Sequence, residues 1–254
     1  MMEGTTMKTR TIDVYSFNEL DERGKERARD WYRQGDDDNY FAECILDKAP
    51  RLLALCGIQI DKLPRNGNHH AIYWSGFSSQ GDGACFEGSW NPATLDVATL
   101  KSECPATYKD AQGVEQACEG NTELHAIADE SARLAALDPD SGIGWSCKNT
   151  GHYNHEYSVT FDHSDEREPP HCQPRGYSKE HDCNGPCSCR CDCIACTVAP
   201  IDDIEDDHEA NARDAMRWIY RQLEREYEYQ TSDEVVDENI IANEYEFDAS
   251  GNRI

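Results

Sequence analysis

The chain has 254 residues, room for one large domain or two small ones, and its 38% hydrophobic content with 5 Trp, 12 Tyr and 6 Phe is enough for a core, which excludes global disorder. Fifty acidic residues against 24 basic ones give a formal charge of −26. Such a surface repels nucleic-acid phosphates and anionic membranes, so direct nucleic-acid binding and membrane binding are disfavoured.

From Ile201 onward 17 Asp/Glu face 5 Arg, a net −12, so nearly half of the acidic excess lies in the last 54 residues. A surface of this kind attracts a basic partner, imitates DNA toward a DNA-binding protein, or simply keeps the protein soluble. No run approaches the roughly 18 apolar residues of a membrane span, and the first eleven residues lack the apolar centre of a signal peptide, so the expected compartment is the cytoplasm. Thirteen cysteines are an odd number and come without an export signal, which favours free thiols and metal ligation over a disulfide scaffold.

In chain order, 9–17 alternates through Ile12, Val14 and Tyr15 as a first strand. Ser16-Phe17-Asn18-Glu19 matches a capping box with Tyr15 and Leu20 as its staple, and predicts a helix over 17–34 whose small or apolar positions are Leu20, Gly24, Ala28, Trp31 and Tyr32. A second helix is expected over 37–56, with Phe41, Cys44, Ile45, Leu52, Leu55 and Cys56 on one side, a bend at Pro50 and a stop at Gly57. Ile58 to Ile60 reads as a short strand, and His69 and His70 as surface residues.

The stretch 72–90, I-Y-W-S-G-F-S-S-Q-G-D-G-A-C-F-E-G-S-W, reads as a β-hairpin with arms 72–77 and 84–90 around a polar tip. Ser79, Gln80 and Asp82 on that tip are candidate binding residues, although the same letters serve ordinary turn chemistry. The segment 91–120 is poorly periodic, a short helix and loop, and 121–137 is a helix by the spacing of Leu124, Ile127, Ala128, Leu134 and Leu137. A second hairpin joins 143–148 to 153–162 around Asn149-Thr150-Gly151 and carries His152, His155 and Glu156. On one regular strand the two histidines point to opposite faces, which speaks against a metal site there.

A break at 165–200, rich in Pro, Gly, Cys and charge, reads as an insert. Within it Cys183, Cys187, Cys189, Cys191, Cys193 and Cys196 fall in 14 residues, joined by C-x-C and C-x-x-C steps, with His171, Cys172 and His181 nearby. That spacing lets a short chain wrap thiolates around one zinc ion, whereas disulfides between such close residues are strained; the expected role is structural. The chain resumes as a long amphipathic helix over 203–229, then a short capped helix from Thr231-Ser232-Asp233-Glu234 and a final strand over 244–247.

The predicted fold is therefore α+β, an antiparallel sheet built from hairpins and packed against three or four helices. One domain is made by 9–164 and 201–250, and 165–200 is a Cys-rich insert. Burial is expected for Trp31, Ile45, Leu52, Trp74, Phe86 and Ile219. The chain contains no G-x-S-x-G, P-loop, dinucleotide fingerprint or H-E-x-x-H.

Four segments, D-V-Y-S-F-N-E-L-D-E-R with R-A-R-D-W-Y, Y-W-S-G-F-S-S-Q-G-D-G-A-C-F-E-G, G-H-Y-N-H-E-Y, and Y-Q-T-S-D-E-V-V-D-E with A-N-E-Y-E-F, together resemble a family of small proteins of tailed bacteriophages and prophages. Most members lack a known activity and some carry an antitoxin label. The resemblance covers most of the chain outside 165–200, implies a bacterial host cytoplasm, and supplies no catalytic residues. It leads to the expectation of a non-catalytic protein that binds a host protein, basic or DNA-binding, as an antitoxin-like or anti-defence inhibitor. The alternatives are an enzyme acting on a nucleotide or other small molecule between the two hairpins, using Gln80, Asp82, His152, His155 and Glu156, and a DNA mimic.

Overall fold

The computed structural model describes residues 11–35, 40–64, 69–137, 144–164 and 201–254. The insert 165–200, and with it the candidate ligands Cys172, His181, Cys183, Cys187, Cys189, Cys191, Cys193 and Cys196, lies outside the described residues. The fold is α+β, and every strand pairing among the described residues is antiparallel. Also among them, no helix is long and apolar enough to cross a membrane. The chain divides into two compact units, one of Met1–Cys44 with Leu223–Ile254, the other of Ile45–Gln222.

In the first unit β1 (Tyr15–Ser16) pairs with β10 (Glu246–Phe247). The capping box is present, with Ser16 N–H and Oγ both donating to Glu19 at 2.8 Å. It closes a single 3-10 turn, Phe17–Glu19, and α1 (Glu22–Gly35) starts afresh, with Asp21 accepting from Gly24 N–H at 2.7 Å. The sequence thus gives the right cap for the wrong turn, because Leu20 returns to extended backbone. Phe17, Leu20 and Ala28 are buried with Val236 and Ile240 of α6 (Asp233–Ala242) and with Phe247. Trp31 is half-buried rather than buried, its ring edge-on to Tyr245 at 5.3 Å and Phe247 at 5.8 Å. Arg29 makes two 2.6 Å bonds to Asp237, tying α1 to α6. Ser232 caps α6 by accepting from Val235 N–H, as its sequence predicts.

The boundary between units falls inside α2 (Tyr40–Ala54) and α5 (Ile201–Gln230). The buried stripe of α2 runs through Ala42, Ala49 and Leu53, and Cys56 just beyond its end is buried too. Ile45 and Leu52 are half-buried and Cys44 is exposed, so the apolar face is rotated from the one predicted. Two alanines, invisible to a pattern of large residues, set the phase. Gly57 takes φ +78° and stops the helix where expected.

The second unit holds a four-stranded sheet in the order β2 (Ile58–Ile60), β5 (Gly88–Trp90), β8 (Gly144–Asn149), β9 (Val159–Ser164). β3 (Ile72–Ser75) and β4 (Gly83–Phe86) form a separate ladder, Ile72 opposite Phe86. The predicted arm 84–90 therefore splits at Glu87, whose N–H donates to Ala71 O and whose carbonyl accepts from Asp61 N–H, both at 2.9 Å, so the chain changes partner there. Beyond α3 (Val97–Glu103), the stretch read as loop contains another hairpin, β6 (Thr107–Lys109) with β7 (Glu115–Ala117), followed by α4 (Glu119–Leu137). Phe86 and Ile219 are fully buried as expected, whereas Trp74 is half-buried.

Candidate functional site

The two predicted hairpins do meet, though not as two flat ribbons. β8 ends at Asn149 and β9 begins only at Val159, so His152, His155 and Glu156 sit on a loop with a 3-10 turn at Glu156–Ser158, not on a strand. His152 and His155 therefore do not alternate along one regular strand. The loop lies on the β3–β4 hairpin: Asn154 Nδ2 donates to Trp74 O at 3.0 Å. The contact needs glycine at position 83, where a Cβ would stand 2.8 Å from His155 Cδ2 and 3.0 Å from Asn154 O, and it is close at Gly81 too, where a Cβ would stand 2.9 Å from the exposed Tyr153 ring. Two glycines of the S-S-Q-G-D-G tip thus serve close approach rather than a positive φ.

The tip itself is closed from within. Asp82 Oδ2 accepts from Ser79 N–H at 2.6 Å and Ser78 N–H at 2.8 Å. Those amides, Ser79 first, hold its carboxyl below the usual aspartate range. Ser79 and Gln80 are exposed, and the predicted binding carboxylate is spent on its own turn. Behind the tip Phe77 lies against Trp74 and Tyr220 at 5.7 and 5.5 Å, and the Tyr220 hydroxyl donates to Gly76 O at 3.0 Å.

Under the loop His155 and Glu156, both sequence candidates, join a charged network whose other members, Arg213, Arg217 and Glu209, the sequence did not single out. Glu156 is 8% exposed, with Oε1 3.3 Å from Arg217 Nη1 and Oε2 3.0 Å from His155 Nδ1. That same Nδ1 is 3.3 Å from Tyr157 N–H, and it cannot donate to one and accept from the other. The Tyr157 N–H makes the hydrogen bond, so Nδ1 accepts from the backbone and the Glu156 carboxylate is a close neighbour of it. Arg213 donates to Glu156 O and to Glu209 Oε2 (3.0 Å), and its guanidinium covers Tyr157 at 5.3 Å and Phe161 at 4.9 Å. Glu209 also accepts from His163 Nε2 at 3.1 Å. Arg213 and Arg217 stand one turn apart on α5, the first two of four arginines at every fourth position, 213, 217, 221 and 225, a spacing in an acidic helix that could have signalled them.

Above this network Tyr153 and Tyr157 stand 66% and 71% exposed, while His152 is exposed. A hollow of 180 Å³ elsewhere in the unit is lined by Asp47, His69, His70 and Ile72. His70 is half-buried there rather than on the open surface, and burial, then Lys62, pushes its pKa down. Among the described residues no three His, Cys, Asp or Glu side chains are grouped to hold a metal ion.

Residues 41–233 match the family described as a domain of unknown function, DUF8835. The chain belongs to the DUF8835 family. No curated protein and no solved structure matches it. The span shared with DUF8835 contains the tip, the 150–158 loop, both arginines and the Cys-rich insert.

Proposed function

We propose that this DUF8835 protein is a non-catalytic binding protein whose recognition surface is the β3–β4 tip together with the 150–158 loop. The observation that carries this reading is the pair Tyr153 and Tyr157, large amphipathic side chains held out from a braced loop, the side-chain type that anchors protein interfaces at low entropic cost. The groups beneath support binding over chemistry, because Asp82, Glu156, Arg213 and Arg217 are each occupied by internal partners. The formal charge of −26 favours a basic partner.

The resemblance to tailed-phage and prophage proteins makes the partner a host protein in the bacterial cytoplasm, neutralised as by an antitoxin or an anti-defence inhibitor. The insert is proposed to bind structural zinc through four of Cys172, His181, Cys183, Cys187, Cys189, Cys191, Cys193 and Cys196, supported by ligand type and spacing. Immobilised protein should capture a saturable, salt-sensitive partner from bacterial lysate, and Tyr153→Ala with Tyr157→Ala should lose it. Absence of such a partner, or capture indifferent to both tyrosines, sinks the reading.

One observation favours a second reading, an enzyme acting on a small molecule. His155 Nδ1 stands 3.0 Å from the carboxylate of buried Glu156, and an imidazole beside a carboxylate is a pairing that general bases use. Turnover of any nucleotide that His155→Gln abolishes, with folding intact, would move the protein into that class.

A further inference from the structure

The first unit carries an open groove of 410 Å³, within the size range of ligand sites. Its floor is apolar and fixed, made of Phe17 (4% exposed) and Ile240 (0%) from the core of that unit. Its walls are apolar and uncovered, with Val14 48% and Ile241 44% exposed. Ile254, 50% exposed, adjoins through its N–H bond to Glu246 O at 3.1 Å. Scattered single apolar residues need no explanation, but several converging on one concavity do.

The rim has one sign of charge. Glu19, Glu244 and Glu246 line the groove, all exposed, and among the described residues none is ion-paired within 4 Å. The nearby cation is engaged elsewhere, since Arg253 donates to the backbone oxygens of Glu246 and Ile254 and lies over the Tyr245 ring at 4.9 Å. Among the described residues β1 has no strand neighbour on its outer side, so extended backbone adjoins the groove as well. A second copy of this chain would bring a net −26 against three carboxylates, which disfavours self-docking. What complements an apolar floor under an anionic rim is an apolar side chain flanked by cations.

We infer that this groove docks a short peptide segment of a partner protein in which apolar residues alternate with Lys or Arg. It is built from residues of the first unit alone and stands or falls independently of the tyrosine surface proposed above, because its variants leave Tyr153 and Tyr157 untouched.

The test is fluorescence anisotropy with a labelled peptide of alternating lysine and leucine, titrated with the full chain. Saturable binding is expected, weakening as salt rises. Val14→Asp and Ile241→Asp, at exposed positions and checked for folding by circular dichroism, should each weaken it about tenfold or more. Glu244→Lys and Glu246→Lys should each weaken it about three- to tenfold, whereas Glu228→Lys, an exposed site outside the groove with the same change in net charge, should not. Three results would overturn the inference: no saturation below about 1 mM, equal weakening by Glu228→Lys and Glu244→Lys, or a dimer in sedimentation that Ile241→Asp dissolves, which would make the occupant a second copy.

Discussion

The hairpins β3–β4 and β6–β7 are closed by the same chemistry and differ in everything else. Asp82 accepts from the amides of Ser78 and Ser79, and Asp110 from those of Gln112 and Val114, so in each an aspartate folds the turn onto itself. Yet all four residues of β4 are buried, while all six of β6 and β7 are exposed, Tyr108 by 56%. A polar Asp-Gly tip is therefore no sign of a site by itself. What distinguishes the first hairpin is the braced, tyrosine-bearing loop laid across it through Asn154, Gly81 and Gly83.

The largest effect that tests this contrast comes from the strands. Phe86→Ala leaves a cavity where the side chain is fully buried and should cost about 3–5 kcal/mol in denaturant unfolding, whereas Tyr108→Ala should stay within about 0.5 kcal/mol. Equal costs would erase the distinction. Next, Glu156→Ala strips Arg217 and His155 of their shared carboxylate and should cost about 1–3 kcal/mol, with Tyr157 fluorescence or amide exchange reporting a loosened loop.

Smaller still are the tips. Asp82→Ala and Asp110→Ala should lower the Tm slightly and to similar extents, and a large difference would mean that one tip has a further partner. Both carboxyls are held below their ordinary range, Asp110 by the Gln116 amide first and then by Val114 N–H. The stabilisation is thus fully present above the unfolded aspartate pKa of about 4 and is lost as pH falls through the depressed folded values. Acid titration of the two Asp→Ala variants should show the wild-type loss missing below about pH 4. The smallest change in stability, within about 0.5 kcal/mol, is expected for Tyr153→Ala and Tyr157→Ala, which are exposed; their readout is partner capture. Elemental analysis of protein purified without chelator should find at least one zinc per chain.

Local chemistry was readable in the sequence and tertiary choices were not. The Ser16 to Glu19 box, the Gly57 stop, the Ser232 cap and the α5 stripe all depend on neighbours within a turn or two, and all are present. The alternation Tyr153, His155, Tyr157, Val159, Phe161 reads as one strand, but the chain joins its ladder only at Val159 because Asn154 bonds across to Trp74, 80 residues away. Likewise Arg213 looks like part of a solvated helix face until the loop carbonyl of Glu156 comes to meet it. The phase of α2 was lost for a different reason, since its buried face uses alanine where leucine was sought.

Cys56, Cys85 and Cys147 are fully buried in the second unit, and burial pushes each of their thiols up to about 12. Thiolate is the reactive form, so at neutral pH these three are silent toward alkylating reagents on two counts, access and ionisation. Exposed Cys44, in contrast, is open to reagent. The protein thus carries its own clock for opening: the rate at which an alkylating reagent modifies the silent thiols, timed against Cys44, measures how often the sheet around β4 and β8 unfolds, with no residue changed.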